Sequence, residues 1–88
     1  MIRRNGHHST MPLSMAQPGE TVELVEILGG HRMRKRLADL GLNVGMAIRV
    51  VQGGRYGPKI LAVKEDTRLA IGAGMCHKII VTTPTNKK

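Results

Sequence analysis

The hydrophobic positions of the chain follow two different periods. Residues 21–28 alternate between apolar and polar, with Val22 and Leu24 on one face and Glu23 on the other, and this period of two predicts a β-strand. Val25 and Ile27 interrupt the alternation. We interpret the interruption as a strand that is covered on part of both faces.

A helical period follows that strand. Within residues 31–40, Met33, Leu37 and Leu40 are spaced i, i+4 and i+7 and form one apolar stripe, which predicts a short helix. Gly41 stands where a left-handed residue commonly ends a helix. Because an isolated helix of this length is marginal in water, we expect it to dock on the strands.

Four further short strands are predicted after Gly45, separated by glycine-rich or acidic turns, around Ile48 and Val50, and over residues 60–63, 69–71 and 79–81. Such strands predict a small, mainly β barrel of about five strands, with one short α-helix inserted after the first strand. We expect a flexible N-terminal tail over residues 1–12, one domain over 13–83, and a basic C-terminal tail over 84–88.

Charge points to an anionic partner. The 88 residues include 14 Lys and Arg against 6 Asp and Glu, a formal net charge of +8 that favours polyanions or an acidic protein surface. The chain has one Tyr and no Phe or Trp, which argues against stacking of single-stranded nucleic acid. A single Cys, no secretory signal and no long apolar run lead us to expect a cytoplasmic protein.

Catalytic and metal-binding constellations are weak. No carboxylate stands with a His and a nucleophile at a useful spacing, and the phosphate-loop signature is missing, so we expect no enzyme and no resident cofactor. Metal ligands lack the usual spacing, and any divalent ion is expected to be adventitious. The weak candidates are His7, His8, His31, Cys76 and His77.

The neighbouring residues Cys76 and His77 are predicted to lie in a strand, where they would point to opposite faces. We therefore expect Cys76 to pack as a small buried hydrophobe rather than to bind a metal.

Two segments are candidates for partner binding. The first is the cationic face of the predicted helix, with Arg32, Lys35 and Arg36, and four cations of that helix lie in its first half, against the helix dipole. This face is either simply solvated or a docking patch for an acidic protein, anionic lipid or nucleic acid. The second segment is a loop, either an interface or a lid over one end of the barrel, that contains Arg55, Tyr56, Gly57 and Pro58.

The order of these motifs resembles one family. The run R-L-x-x-L-G-L-x-x-G over residues 36–45, preceded by I-L-G-G at 27–30 and followed by Gly57-Pro58, L-A-I at 69–71 and I-x-V at 79–81, is similar to the FeoA family of ferrous-iron transport accessory proteins. The resemblance covers about residues 13–82.

The resemblance implies an SH3-like barrel, which also occurs as the C-terminal domain of iron-dependent repressors. It implies a partner, the membrane transporter FeoB, on whose cytosolic G-protein-like part the small protein docks to modulate uptake. The alternatives are a basic barrel that binds nucleic acid through phosphate contacts, and an iron carrier. Contact with an anionic membrane surface and a homo-oligomer remain open.

Overall fold

The computed structural model describes residues 10–64 and 67–83. Six strands, one α-helix, a single helical turn and a short 3-10 segment follow one another along the chain. In order they are β1 (Thr10–Pro12), the 3-10 segment (Leu13–Met15), β2 (Thr21–Ile27), α1 (His31–Asp39), β3 (Ala47–Gln52), β4 (Lys59–Ala62), β5 (Arg68–Ile71), α2 (Ala73–Cys76) and β6 (Ile79–Thr82).

All six strands belong to one antiparallel sheet in the order β1-β6-β2-β3-β4-β5. The mainly β class is confirmed, and the predicted count of strands is one short. Among the described residues no ladder joins β1 to β5, so the hydrogen-bonded sheet is not closed as the barrel prediction required. These two strands are its edges.

The additional strand is β1, which pairs with β6 through Thr10↔Thr82 and Pro12↔Ile80. It begins three residues before the expected start of the domain at residue 13. A three-residue strand that ends in proline carries no periodic signal, and proline is tolerated here because β1 is an edge strand. Leu13, which follows it, is fully buried.

The interrupted alternation in β2 has a local cause. Its register against β6 shifts between Leu24 and Glu26, which marks a β-bulge. Val22, Leu24 and Ile27 are all buried, although their spacing changes along the strand. The bulge accounts for the interruption, and Val25, which lies at the bulge, is half-buried.

Helix α1 ends as its sequence predicts. Gly41 has φ +97°, and its N–H donates to the carbonyl of Ala38 at 2.9 Å, while the N–H of Leu42 donates to the carbonyl of Leu37 at 2.9 Å. This pair of bonds is a Schellman motif. Leu37 is fully buried, but Leu40, predicted on the same stripe, is 42% exposed.

Residues 73–76 form the single turn α2, so the predicted strand at Cys76 and His77 is wrong. The N–H groups of Met75 and Cys76 both donate to the carbonyl of Gly72, each at 3.1 Å, and a turn rather than an extended chain connects β5 to β6. A turn of this length has too few residues to show a helical period.

The core contains no aromatic ring. It consists of aliphatic residues from every strand but β1, from the 3-10 segment and from α1, together with Cys76. The buried hydrophobic side chains of this core are Leu13, Ala16, Val22, Leu24, Ile27, Leu37, Leu42, Ile48, Val50, Leu61, Val63, Ile71, Cys76, Ile79 and Val81.

Two glycines with positive φ allow a paired stability test. At Gly41 nothing lies within 4 Å of an added Cβ, whereas at Gly53 (φ +126°) that atom would lie 2.5 Å from the Pro58 carbonyl oxygen. We expect Gly41→Ala to lower the free energy of unfolding by roughly 1–2 kcal/mol through backbone strain alone. Gly53→Ala should cost about 1–3 kcal/mol more, because the backbone must also move. Urea titration followed by far-UV circular dichroism measures both, and equal losses would contradict the clash.

Candidate functional site

The cations of α1 all face solvent. Arg32, Arg34, Lys35 and Arg36 are exposed, and within the described chain none of them forms an ion pair with a carboxylate. The first turn carries no acidic residue. Arg36 lies in the last turn of the helix, where the helix dipole favours a cation. The expected unfavourable interaction with the dipole therefore applies only to the three cations that precede Arg36.

Two of these cations line a concave site of about 300 Å³, which we name the cationic groove. Its lining combines three positive side chains, two methionines and two glycines, and no carboxylate among the described residues: Gly29, Gly30, Arg32, Met33, Arg36, Met75 and Lys78. Lys35 is on the same helix but does not line the groove.

The fold assembles this groove from segments that are distant in sequence. The N–H of Leu28 donates to the carbonyl of Lys78 at 2.6 Å, which joins the end of β2 to the turn before β6. An added Cβ at Gly29 would lie 3.1 Å from the sulfur of Met33, so the glycine allows this methionine to approach the chain closely. Sequence reasoning missed Lys78, because only strand pairing brings it beside α1.

The loop between β3 and β4 presents its tip to solvent. Tyr56 is 82% exposed, Arg55 and Pro58 are exposed, and Gly57 is half-buried. With so little of its ring covered, Tyr56 does not act as a lid over the sheet. The interface interpretation of this loop stays a prediction.

Lys59 anchors that loop, although no sequence pattern singled it out. Its side chain is 1% exposed, and the ammonium donates to the carbonyls of Ala16 at 3.0 Å, Gly54 at 2.9 Å and Gly53 at 3.4 Å. Three acceptors match the three donors of an ammonium group. The bonds hold the loop against the segment that follows β1.

Three of the seven predicted binding residues line a concave site, and they do so at two separate sites. Arg32 and Arg36 line the cationic groove, whereas Arg55 lines a smaller cleft of about 130 Å³ formed with residues 14–18, Gly53 and Gly54. Lys35 and Tyr56 are exposed and line neither one.

The three weak metal candidates among the described residues do not form a metal-binding group. His31 and His77 are exposed and Cys76 is buried, and the described part of the chain contains no group of three or more His, Cys, Asp or Glu side chains placed to hold an ion. His7 and His8 lie outside the described residues.

Cys76 packs as the small hydrophobe that the sequence suggested. Its thiol is fully buried and lies 3.7 Å from the carbonyl oxygen of Ile71, to which it can donate. Burial raises the pKa of the Cys76 thiol above its usual value, while the charge and the main-chain N–H of Lys59 act in the opposite direction. A neutral, enclosed thiol is a poor nucleophile and a poor metal ligand.

No helix within residues 10–64 and 67–83 has the length and apolar character needed to span a lipid bilayer.

Comparison with known proteins identifies the family. A model of the FeoA domain matches residues 11–83. The chain belongs to the FeoA family. A relative from Methanocaldococcus jannaschii, named Fe(2+) transport protein A, is 36% identical over 70 residues, which cover 80% of this chain and 83% of the relative.

Solved structures confirm the SH3-like fold class. A crystal structure named iron uptake regulatory protein (FeoA) has 38% sequence identity and a TM-score of 0.73, covering 83% of this chain and 95% of that one. The NMR structure of a FeoA-like protein from Clostridium acetobutylicum has a TM-score of 0.73 and 16% sequence identity. This match covers 90% of this chain and 92% of that one.

A third structure has the same fold in another setting. A manganese-dependent transcriptional repressor has a TM-score of 0.78 at 17% identity, and the match covers 90% of this chain but 44% of the repressor. This likeness concerns the fold alone.

The lysine anchor can be tested with two matched variants. Lys59→Met removes the donor while it keeps a similar length, and leaves buried carbonyls unsatisfied, so we expect a loss of about 1–3 kcal/mol in unfolding free energy. Lys64→Met, at an exposed position, should change it by less than about 0.5 kcal/mol.

Trypsin cleavage after Arg55 provides the second measurement for this pair. It should accelerate in Lys59→Met only, because the loop is released from Ala16. Unchanged cleavage and stability in Lys59→Met would refute the anchoring role.

The burial of Cys76 predicts slow alkylation. At pH 8 we expect iodoacetamide to modify Cys76 more slowly in the native chain than in the chain unfolded in guanidinium chloride, by on the order of tenfold or more. The enclosure of the thiol keeps the reagent away, and the raised pKa of Cys76 lowers the fraction of reactive thiolate. Mass spectrometry at timed intervals gives both rates, with glutathione as a reference thiol. Equal rates in the two solvents would show that the native thiol is open to reagent.

Proposed function

We propose that this FeoA-family chain is a non-enzymatic accessory protein of ferrous-iron uptake that docks on the cytosolic G-protein-like part of the transporter FeoB. The family match over residues 11–83 carries the accessory role. The relative's name, Fe(2+) transport protein A, supports iron transport as the process.

The unpaired cations of α1 support docking as the mode of action. Arg32, Lys35 and Arg36 are exposed on one helix without an ion pair to any described carboxylate, so they are available to an acidic surface. Complementary charge of this kind speeds association and orients the partner more than it adds affinity. The exposed tip with Arg55 and Tyr56 offers a second contact, since Tyr and Arg are enriched in protein interfaces.

A location beside the membrane follows from this partner. The cytoplasmic face of a membrane is anionic, and each Lys or Arg near that surface gains about 1 kcal/mol. The formal charge of +8 would therefore concentrate the chain near an embedded transporter. In this proposal the lipid contributes to the encounter and the transporter's protein surface provides the specific contact.

Nucleic-acid binding is the second candidate, favoured by the same cations. The lining of the cationic groove argues against it, because the groove contains no aromatic side chain on which a base could stack. The second candidate would act through phosphate contacts alone.

Charge reversal tests the docking face. The triple variant Arg32→Glu, Lys35→Glu, Arg36→Glu should weaken binding to the purified cytosolic domain of FeoB by roughly 10- to 100-fold at low salt, because three attractive charges become repulsive. Biolayer interferometry measures the affinity, and raising the salt concentration should reduce the difference between variant and wild type.

A control with the same change in net charge reverses Arg49, Lys64 and Arg68, which are exposed and lie outside α1. It should retain most of the binding, and equal losses in the two triple variants would rule out a specific patch. Duplex DNA and RNA titrated at physiological salt address the second candidate, which would require binding in the micromolar range.

A further inference from the structure

We propose that the cationic groove binds a short acidic segment of a partner protein, with one apolar side chain inserted between Met33 and Met75 and its carboxylates paired with Arg32, Arg36 and Lys78. This inference rests on the proposed function, since it names the kind of FeoB segment that the groove receives. It goes beyond a general cationic face, because it assigns a site with an apolar floor and a defined set of lining residues.

The floor of the groove is apolar and adaptable. Met33 and Met75 are both partly buried against the hydrophobic core and both line the groove. Methionine is unbranched and polarizable, so it can adjust to inserted side chains of different shape. An inserted Leu, Met or aromatic side chain would gain roughly 1.5–3 kcal/mol if fully buried, expressed as about a 10- to 100-fold gain in affinity.

The positive charges of the groove come from two different elements. Arg32 and Arg36 are one helical turn apart on α1, and Lys78 comes from the turn that precedes β6. No described carboxylate lines the groove or pairs with these three groups. A ligand with two or more carboxylates close to its apolar side chain would therefore match the charge of the site.

The rim leaves room for an extended main chain. Gly29 and Gly30 form part of the lining, and an added Cβ at Gly30 would meet nothing within 4 Å. Glycines allow another backbone to approach closely. The volume of about 300 Å³ is at the lower end for ligand pockets and suits a few side chains of a linear segment.

These features favour a peptide over the other anionic macromolecules. Single-stranded nucleic acid uses aromatic stacking platforms, and the chain's single Tyr, Tyr56, does not line the groove. Duplex backbones and lipid headgroups need cations but make no use of a recessed pair of methionines. An acidic peptide with one apolar residue would use both the apolar floor and the cations of the groove.

Methyl NMR can observe the groove directly. The probe is an acetylated peptide of about ten residues, with one Leu flanked on each side by two Glu in a Gly-Ser background. In the chain labelled with ¹³C at the methionine methyl groups, we expect this peptide to shift the signals of Met33 and Met75. Met11, Met15 and Met46, which do not line the groove, act as internal controls.

Variants of the peptide and the chain test each half of the site. Replacing Leu by Ser, or the four Glu by Gln, should weaken binding about tenfold or more in each case. In the chain, Arg36→Glu should weaken it by a similar factor. Arg34→Glu makes the same change in charge on the same helix but outside the groove, and should leave binding within about twofold. Circular dichroism verifies that both variants fold.

The outcomes separate this inference from the proposed function. If the FeoB domain binds the chain but neither that domain nor the peptide shifts Met33 and Met75, the groove inference is overturned and the docking proposal stands. If the FeoB domain does not bind while the peptide shifts both methionines, the groove is an acidic-peptide site and the named partner is wrong. Equal losses in Arg34→Glu and Arg36→Glu, or stronger shifts from duplex DNA than from the peptide, would also overturn the groove inference.

Discussion

One of the three hydrogen bonds of the Lys59 ammonium, the bond to Ala16, connects two segments that no strand pairing joins. Lys59 begins β4, next to one edge of the strand order, whereas its acceptor Ala16 follows β1 at the other edge. The bond therefore ties the connection between β1 and β2 to the start of β4, and in the same connection the N–H of Gly19 donates to the carbonyl of Val50 in β3. A buried ammonium is costly unless its donors are satisfied, and here main-chain carbonyls satisfy all three. The geometry of the loop after Gly53 depends on the same bonds.

The positive charges of the described residues are arranged in two contrasting ways. The one buried cation, among the described residues, is fully engaged with carbonyls, whereas the cations of α1 have no described carboxylate partner. Lys59 thus contributes to the fold, and Arg32, Arg36 and Lys78 remain available for an external anion. The chain combines a net charge of +8 with an aliphatic core. Its single thiol, Cys76, is buried, and burial raises the pKa of that thiol, so it is a poor nucleophile. These exposed cations are the basis of the docking that we propose.

Local pattern was sufficient for part of this structure. The alternation in β2, the stripe of Met33 and Leu37, and the glycine at position 41 predict a strand, a helix and its end, because each signal lies within a few consecutive residues. Strand β1 and the turn α2 are too short to have a period, and the β2 bulge appears in the sequence only as an irregularity. Lys59 and Lys78 could not be selected among 14 basic residues, since their roles arise from contacts with segments distant in sequence. The helix half of the candidate site was thus predictable, and the opposite wall of the groove was not.

Tyr56 gives this protein an unusual optical character. The chain's single aromatic side chain is at a loop tip, 82% open to water, and the chain has no tryptophan. Its ultraviolet absorption and emission therefore come from a ring whose surroundings are almost the same before and after the core is lost. The same ring would become shielded when a second molecule covers the loop. Tyrosine emission is thus a nearly silent reporter of folding and a sensitive, label-free reporter of association at that end of the molecule.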